Sequence, residues 1–319
     1  MSKTVTVAIA LVGLALATGV VAWLGASKIW HAILTLGWLG MCWVVLWQLA
    51  VFCLLGVAWW ILAPGVSLPI VIWARLVREG GENCLPFSEI GGMVFGARAL
   101  VLGGAGFAPA VASSVGDVAT EGIGLVPFLL FGLIVLALKG HSSYVLPMAI
   151  GLAILLTGGG LAFAFRARLA RLFHLGMTRL LRNWTQSAPE CADELERTIQ
   201  SLFQRRWRVA SACVVHFLSW CGGGGNIWIA YHLLGAPISV VDALAIEGIL
   251  SSIMGVGFLV PGALGIQEVS YVGLGAAFGL PPHLSLSLSF IRRARNIIIG
   301  IPPLVAWQVL EARQLRRKS

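Results

Sequence analysis

Charge is what this sequence has least of. Asp, Glu, Lys and Arg make up only 11% of 319 residues, against 58% hydrophobic residues, and the mean hydropathy is +0.91. Soluble domains carry about 25% charged residues. A soluble enzyme is therefore excluded and a membrane protein implied. Acidic residues are scarcer than basic ones, 13 against 22, for a net charge of +9. The basic excess gathers at the ends of apolar segments, which points to anionic lipid surfaces and away from nucleic acid.

Other absences narrow the chemistry. Cysteines occur at 42, 53, 84, 191, 213 and 221, mostly inside apolar stretches and with no Cys-x-x-Cys spacing, so neither a disulfide framework nor a zinc site is expected. The six histidines are scattered. There is no His-Glu-x-x-His, Walker loop, Gly-x-Ser-x-Gly or Gly-x-Gly-x-x-Gly. No cofactor is expected. His216 and His232 are expected to pack or to lie at an interface. Lys3 followed by the apolar run 5–24 has no small-x-small cleavage site after it and is expected to be a retained anchor.

What is present is a series of long apolar runs. A bilayer core about 30 Å thick takes about 20 apolar helical residues. The runs 5–24, 38–63, 117–138, 145–165, 209–234 and 284–310 meet or approach that length. The regions 64–111 and 237–279 are apolar but broken by Gly, Pro86, Pro261 and charges, and read as re-entrant hairpins or half-helices. Between Arg166 and Arg208 the chain turns polar, with nine arginines. The positive-inside rule makes that loop cytoplasmic, and the tail with Arg313, Arg316, Arg317 and Lys318 agrees. Both termini are then expected in the cytoplasm of a bacterial inner-membrane protein. Leu169, Leu172, Phe173 and Leu180 give the loop an amphipathic face suited to the headgroup layer.

The chain reads as one domain, 1–319, with an internal repeat. Leu85-Pro86-Phe87-Ser88-Glu89-Ile90-Gly91-Gly92 parallels Val260-Pro261-Gly262-Ala263-Leu264-Gly265, and each is followed by paired glycines, prolines and a charged helix. The first unit runs from about 38 to 138 and the second from about 209 to 310, with the loop 166–208 between them. Each is span, broken hairpin, span, and the second starts in the opposite direction. The expected fold is an all-α polytopic bundle with inverted repeats, in which broken helices bring a polar site near the midplane.

Charges inside such segments name the candidate site. Arg292, Arg293 and Arg295 each cost about 2.5 to 3.5 kcal/mol near a bilayer centre. They therefore need partners or water, unless they lie at an interface and snorkel. Candidate partners are Glu82, Glu89, Asp117, Glu121, Asp242, Glu247 and Glu268. Asp117 and Glu121, four apart, face one way. They either pair with Arg98 or the C-terminal arginines, or lie at a cytoplasmic helix start. Gln267 and Glu268 after Pro261-Gly262 suit a hairpin tip. Gly222 to Gly225 allow close helix packing or a kink. Trp38, Trp43, Trp47, Trp59 and Trp60 suit interfacial belts and packing.

The run from Leu85 to Gly92, continuing to Gly96-Ala97-Arg98-Ala99-Leu100, resembles the flippase-like transmembrane domain of lysylphosphatidylglycerol synthetases. Within that superfamily it is most similar to membrane proteins associated with hopanoid biosynthesis. Asp117 to Glu121, Ile246-Glu247, Phe258 to Glu268 and Arg292-Arg293-Ala294-Arg295 extend the likeness from about 36 to 311. Met254 and Gly255 depart from it, standing where the pattern has a basic residue. The resemblance implies an inverted-repeat helical fold that places or translocates a lipid, hopanoid or polyprenyl-linked. The soluble aminoacyl-transferring domain of full synthetases is absent from the sequence, so lipid aminoacylation is not expected.

Two other classes stay open. A membrane enzyme acting on a polyprenyl phosphate is suggested by Glu82 to Ser88, which resembles the first motif of undecaprenyl-diphosphate phosphatases. Ala263-Leu264, however, replaces the Ser-Arg pair that family uses. The other class is a scaffold for lipid-biosynthetic enzymes, which would be the partners. Sequence does not set the oligomeric state.

Overall fold

The structure is a computed structural model and describes residues 26–84, 88–140, 188–256 and 265–317. Among the described residues every regular element is a helix: α1 (Ala26–Leu62), α2 (Leu68–Cys84), α3 (Ser88–Leu102), α4 (Phe107–Leu138), α5 (Ala188–Gln204), α6 (Arg206–Leu233), α7 (Val240–Val256), α8 (Ile266–Ala277) and α9 (Pro282–Arg317). The expected spans 5–24 and 145–165, and the hairpin tips with Pro86 and Pro261, lie outside the described residues.

The order long, short, short, long occurs twice, as α1 to α4 and as α6 to α9. α1 bends at Gly37, whose φ of 75° is open to glycine, so the straight stretch begins at Trp38, as the sequence predicts. At about 1.5 Å per residue, α2 and α8 are about 25 and 18 Å long, too short to cross a bilayer alone. Among the described residues, 33–62 and 107–138 are long and apolar enough to cross one.

α1 and α6 run antiparallel. Gly40 sits against Leu233, Trp47 donates to the carbonyl of Gly222, and Gly222 meets Val51. α2 and α3 run antiparallel, Gly81 against Gly92 and Gly103 against Ile70, and with α1 antiparallel to α6 the two units point opposite ways. Their packing is correspondingly symmetric. α2 lies on α9 as α7 lies on α4, and α4 on α6 as α9 on α1, and each unit closes its own hairpin, α2 on α3 and α7 on α8. Glycine makes both inter-unit approaches close. A Cβ on Gly80 would lie 2.5 Å from the carbonyl oxygen of Gly300, and one on Gly248 would lie 2.8 Å from that of Phe128. The run Gly222 to Gly225 does what its composition suggests: a Cβ on Gly224 would sit 2.6 Å from Leu244 and one on Gly225 2.8 Å from Trp47.

The α2/α3 pair therefore enters from one end of the bundle and α7/α8 from the other, and the end of α2 at Cys84 reaches Asn296 and Gly300 part-way along α9. The first end also holds the start of α6, with Arg205, Arg206, Arg208 and the exposed Trp207, and the end of α9, with Arg313. α5 lies across that end and buries Leu195 against Ala108 and Ala112 of α4. Lys139 and Asp242 mark the opposite end.

α4 begins ten residues before the expected 117. Asp117 and Glu121 are thus inside a helix, and the helix-start reading of these acids is corrected. The helix reaches further back because Gly106 to Gly116 is small and apolar enough to pack under α5 and against α3.

Candidate functional site

On α2, Arg75, Arg78, Glu79 and Glu82 are spaced three, four and seven apart, which lines them along one helix face. That face meets the Asp117 and Glu121 face of α4. Arg75, 1% exposed, donates to Glu79 at 2.6 Å, Asp117 at 2.8 Å and Glu121 at 2.9 Å. Arg78 donates to Glu82 and Asp117, both at 2.6 Å, and to Glu121 at 3.0 Å. Asp117 is fully buried, and its second oxygen faces Nε2 of the equally buried His216 on α6 at 3.1 Å. Glu121 also accepts at its backbone carbonyl from the Trp220 indole.

The second unit builds its own cluster. Glu247 of α7 accepts from Arg292 of α9 at 2.8 Å and from Ser251 at 3.2 Å, and Arg292 also donates to the Tyr271 hydroxyl at 3.1 Å. Glu268 takes Arg293 on one oxygen and the backbone N–H of Gly265 on the other, which ties the start of α8 to α9. Gln267 donates to the Ser289 carbonyl at 3.0 Å and to its hydroxyl at 2.8 Å.

A line of hydrogen bonds runs from the first cluster across α9 and α6 to α1. Asn83, at the end of α2, donates to the Glu79 carbonyl at 2.9 Å and accepts from Asn296 at 2.7 Å. Asn296 Oδ1 accepts from Arg295 at 2.8 and 3.0 Å, and Arg295 Nη1 donates to Asn226 of α6 at 2.9 Å. Asn226 in turn donates to the Val44 carbonyl of α1. Arg295 is 5% exposed, and among the described residues no carboxylate lies within ion-pair distance of it. Its acceptors are amide oxygens only. A buried guanidinium with no carboxylate in contact is costly, and this one is held in place by two asparagines, with Glu247 and Glu79 acting on it only from a distance.

The structure thus brings together Glu82, Asp117 and Glu121 in one cluster, and Glu247, Gln267, Glu268, Arg292, Arg293 and Arg295 in or beside the other. Two sequence expectations need correction. Asp117 and Glu121 pair with Arg75 and Arg78, not with Arg98 or the C-terminal arginines. Arg98 stands apart at the basic end, where it meets Glu311 at 2.7 Å and Gln314 at 3.3 Å. Asp242 likewise serves the opposite end through Lys139 at 2.8 Å. Glu89 is described only as backbone in the first turn of α3.

Arg75, Arg78, Glu79, Asn226, Tyr271 and Asn296 are not among the sequence candidates, while Asn83 entered only within the Glu82 to Ser88 motif and His216 only as a residue expected to pack or to lie at an interface. The α2 charges carried a signal, since four ionisable residues on one face of an otherwise apolar helix need partners. The lone asparagines and His216 carried none, because a single polar residue in a span shows its role only through its neighbour. Trp59, expected in a belt or in packing, is buried and donates to Ser113 at 3.2 Å. The five cysteines described are free thiols.

Residues 10–303 match the family described as the lysylphosphatidylglycerol synthase TM region. No curated protein and no solved structure matches the chain.

Proposed function

The chain belongs to the family of the lysylphosphatidylglycerol synthase TM region, an all-helical membrane domain linked to lipid processes, and from that premise we propose that it translocates a lipid between leaflets without covalent chemistry. The observation that carries the reading is the pair of hairpins entering from opposite ends, whose inner ends flank the Asn83–Asn296–Arg295–Asn226 chain. Such an arrangement offers a polar headgroup a route through the bundle while its hydrocarbon tail stays in the bilayer.

Arg295 bears on the choice of lipid. Three guanidiniums within one turn of α9 meet two carboxylates, Glu247 and Glu268, and the remaining cation suits an anionic headgroup. Of the two lipid classes the sequence suggests, a polyprenyl phosphate fits this better than a neutral hopanoid. In this reading the protein sits in the bacterial cytoplasmic membrane with the end bearing Arg205, Arg206, Arg208 and Arg313 facing inward.

Purified protein in phosphatidylcholine vesicles tests the proposal, with a fluorescent polyprenyl phosphate and a fluorescent hopanol as separate probes. Faster exposure of the polyprenyl phosphate to an external quencher than in protein-free vesicles, lost in Arg295→Ala, supports it. Movement of the hopanol alone assigns the neutral lipid instead. Movement of neither probe removes the translocation reading.

A further inference from the structure

His216 and Asp117 form the most deeply buried ionisable pair in the first cluster, both side chains being 0% exposed. Asp117 Oδ2 already accepts from Arg75 and Arg78, and Oδ1 faces His216 Nε2. A carboxylate held by two guanidiniums accepts and does not donate, so Nε2 carries the hydrogen and donates it to Asp117. In the neutral ring Nδ1 is then a bare lone pair. It is buried and has no hydrogen-bond partner among the described residues. Leaving a buried polar atom unpaired costs about 1–3 kcal/mol, and such an exception asks for a reason.

The surrounding charges point the same way. Among the described residues the cluster sets two guanidiniums, Arg75 and Arg78, against four carboxylates, Glu79, Glu82, Asp117 and Glu121. With a neutral His216 the acids outnumber the bases in direct contact with them, and the next cation, Arg295, reaches Glu79 only through Asn296 and Asn83. From the other helices packed on α6, α7 brings Glu247 beside Gly223 and α9 brings Arg295 to Asn226, both further along the helix. α1 contributes Val44, Trp47 and Val51 there, none ionisable. α5 turns Leu195, Ile199 and Leu202 to α4.

We propose that His216, oriented by Asp117, is a proton-binding site that couples lipid movement to a transmembrane proton gradient. A proton from water on one side bonds to Nδ1, giving an imidazolium that offsets the acid excess. In the opposite-facing state that N–H bond breaks and the proton returns to water on the other side, with no electron transferred. This rests on the translocation reading and supplies its energy source, which no nucleotide motif in the sequence provides.

The test uses the full chain in phosphatidylcholine vesicles with the fluorescent polyprenyl phosphate and an imposed gradient of one pH unit. One coupled proton makes that gradient worth about 1.4 kcal/mol, so the wild type is expected to bias the probe between leaflets about tenfold and to reverse the bias when the gradient is reversed. His216→Gln keeps an N–H for Asp117 but no titrating nitrogen, and is expected to move the probe faster than protein-free vesicles yet to distribute it equally. Equal distribution by the wild type under both gradients overturns proton coupling while leaving translocation intact, and so does a bias retained in His216→Gln. Gradient reversal on the wild type decides the matter without any variant. Movement no faster than in protein-free vesicles removes both readings.

Discussion

Arg292 on α9 donates to Glu247 on α7 over 2.8 Å, in the position where the other unit sets Arg75 of α2 against Asp117 of α4, also at 2.8 Å. The places are equivalent under exchange of the units, and the charges are swapped: base on the hairpin in one, acid on the hairpin in the other. Both pairs reach across the gap between a hairpin and the long helix that follows it.

Removing one member of such a pair strands the other. Glu247→Ala or Arg292→Ala is expected to destabilise the protein by about 3–5 kcal/mol, as in other buried pairs. The exchange Glu247→Arg with Arg292→Glu is expected to recover part of that loss. Thermal unfolding in detergent measures both, and single variants as stable as wild type would show that the pair is not buried in the membrane.

Gly80 and Gly300 let α2 and α9 touch backbone to backbone. A Cβ on Gly80 meets the Gly300 carbonyl oxygen at 2.5 Å, whereas one on Gly91 meets nothing within 4 Å among the described residues. Gly80→Val is therefore expected to lower thermal stability sharply. Gly91→Ala is expected to be neutral or to stabilise by about 0.5–1 kcal/mol through helix propensity. Equal behaviour of the two variants would contradict the packing.

Arg295→Ala and Arg98→Ala separate the buried arginine from the peripheral one. The first is expected to abolish retention of an anionic lipid through detergent purification. The second breaks a pair that is 38% exposed on the arginine side, and is expected to change stability by about 1 kcal/mol or less and leave lipid retention unchanged. Phosphorus analysis of the purified variants reads both.

The two ends of the bundle should label from opposite sides. In a background with the six cysteines replaced, Trp207→Cys is expected to react with an impermeant maleimide only after the cells are opened. Lys139→Cys is expected to react in intact cells. The reverse pattern would invert the orientation assigned from the arginines.

Much of the fold was legible because its signals are local. Run length and hydropathy located the stretches that became α1, α4, α6 and α9, and the breaks at 64–111 and 237–279 located the two hairpins. α4 starts ten residues before the expected 117 because Gly106, Pro109, Ser113, Ser114 and Gly116 weaken the local helix signal until α3 and α5 cover them. The candidate site was legible as a set of ionisable residues but not as a set of pairs. Asp117 shows four-residue spacing with Glu121 in sequence, yet nothing local says that Arg75, 42 positions away, will meet it.

Composition alone decided that this chain lives in a membrane, and the repeated order of its segments decided that it is built twice, because both properties are written residue by residue along the chain. Which charges neutralise each other, that Arg295 is left with amides, and that His216 meets Asp117 through Nε2 while its Nδ1 finds no partner among the described residues were decided only when the helices packed. Pairing energy in a low-dielectric interior depends on separations of a few ångströms between residues far apart in sequence, and only the tertiary structure sets those separations.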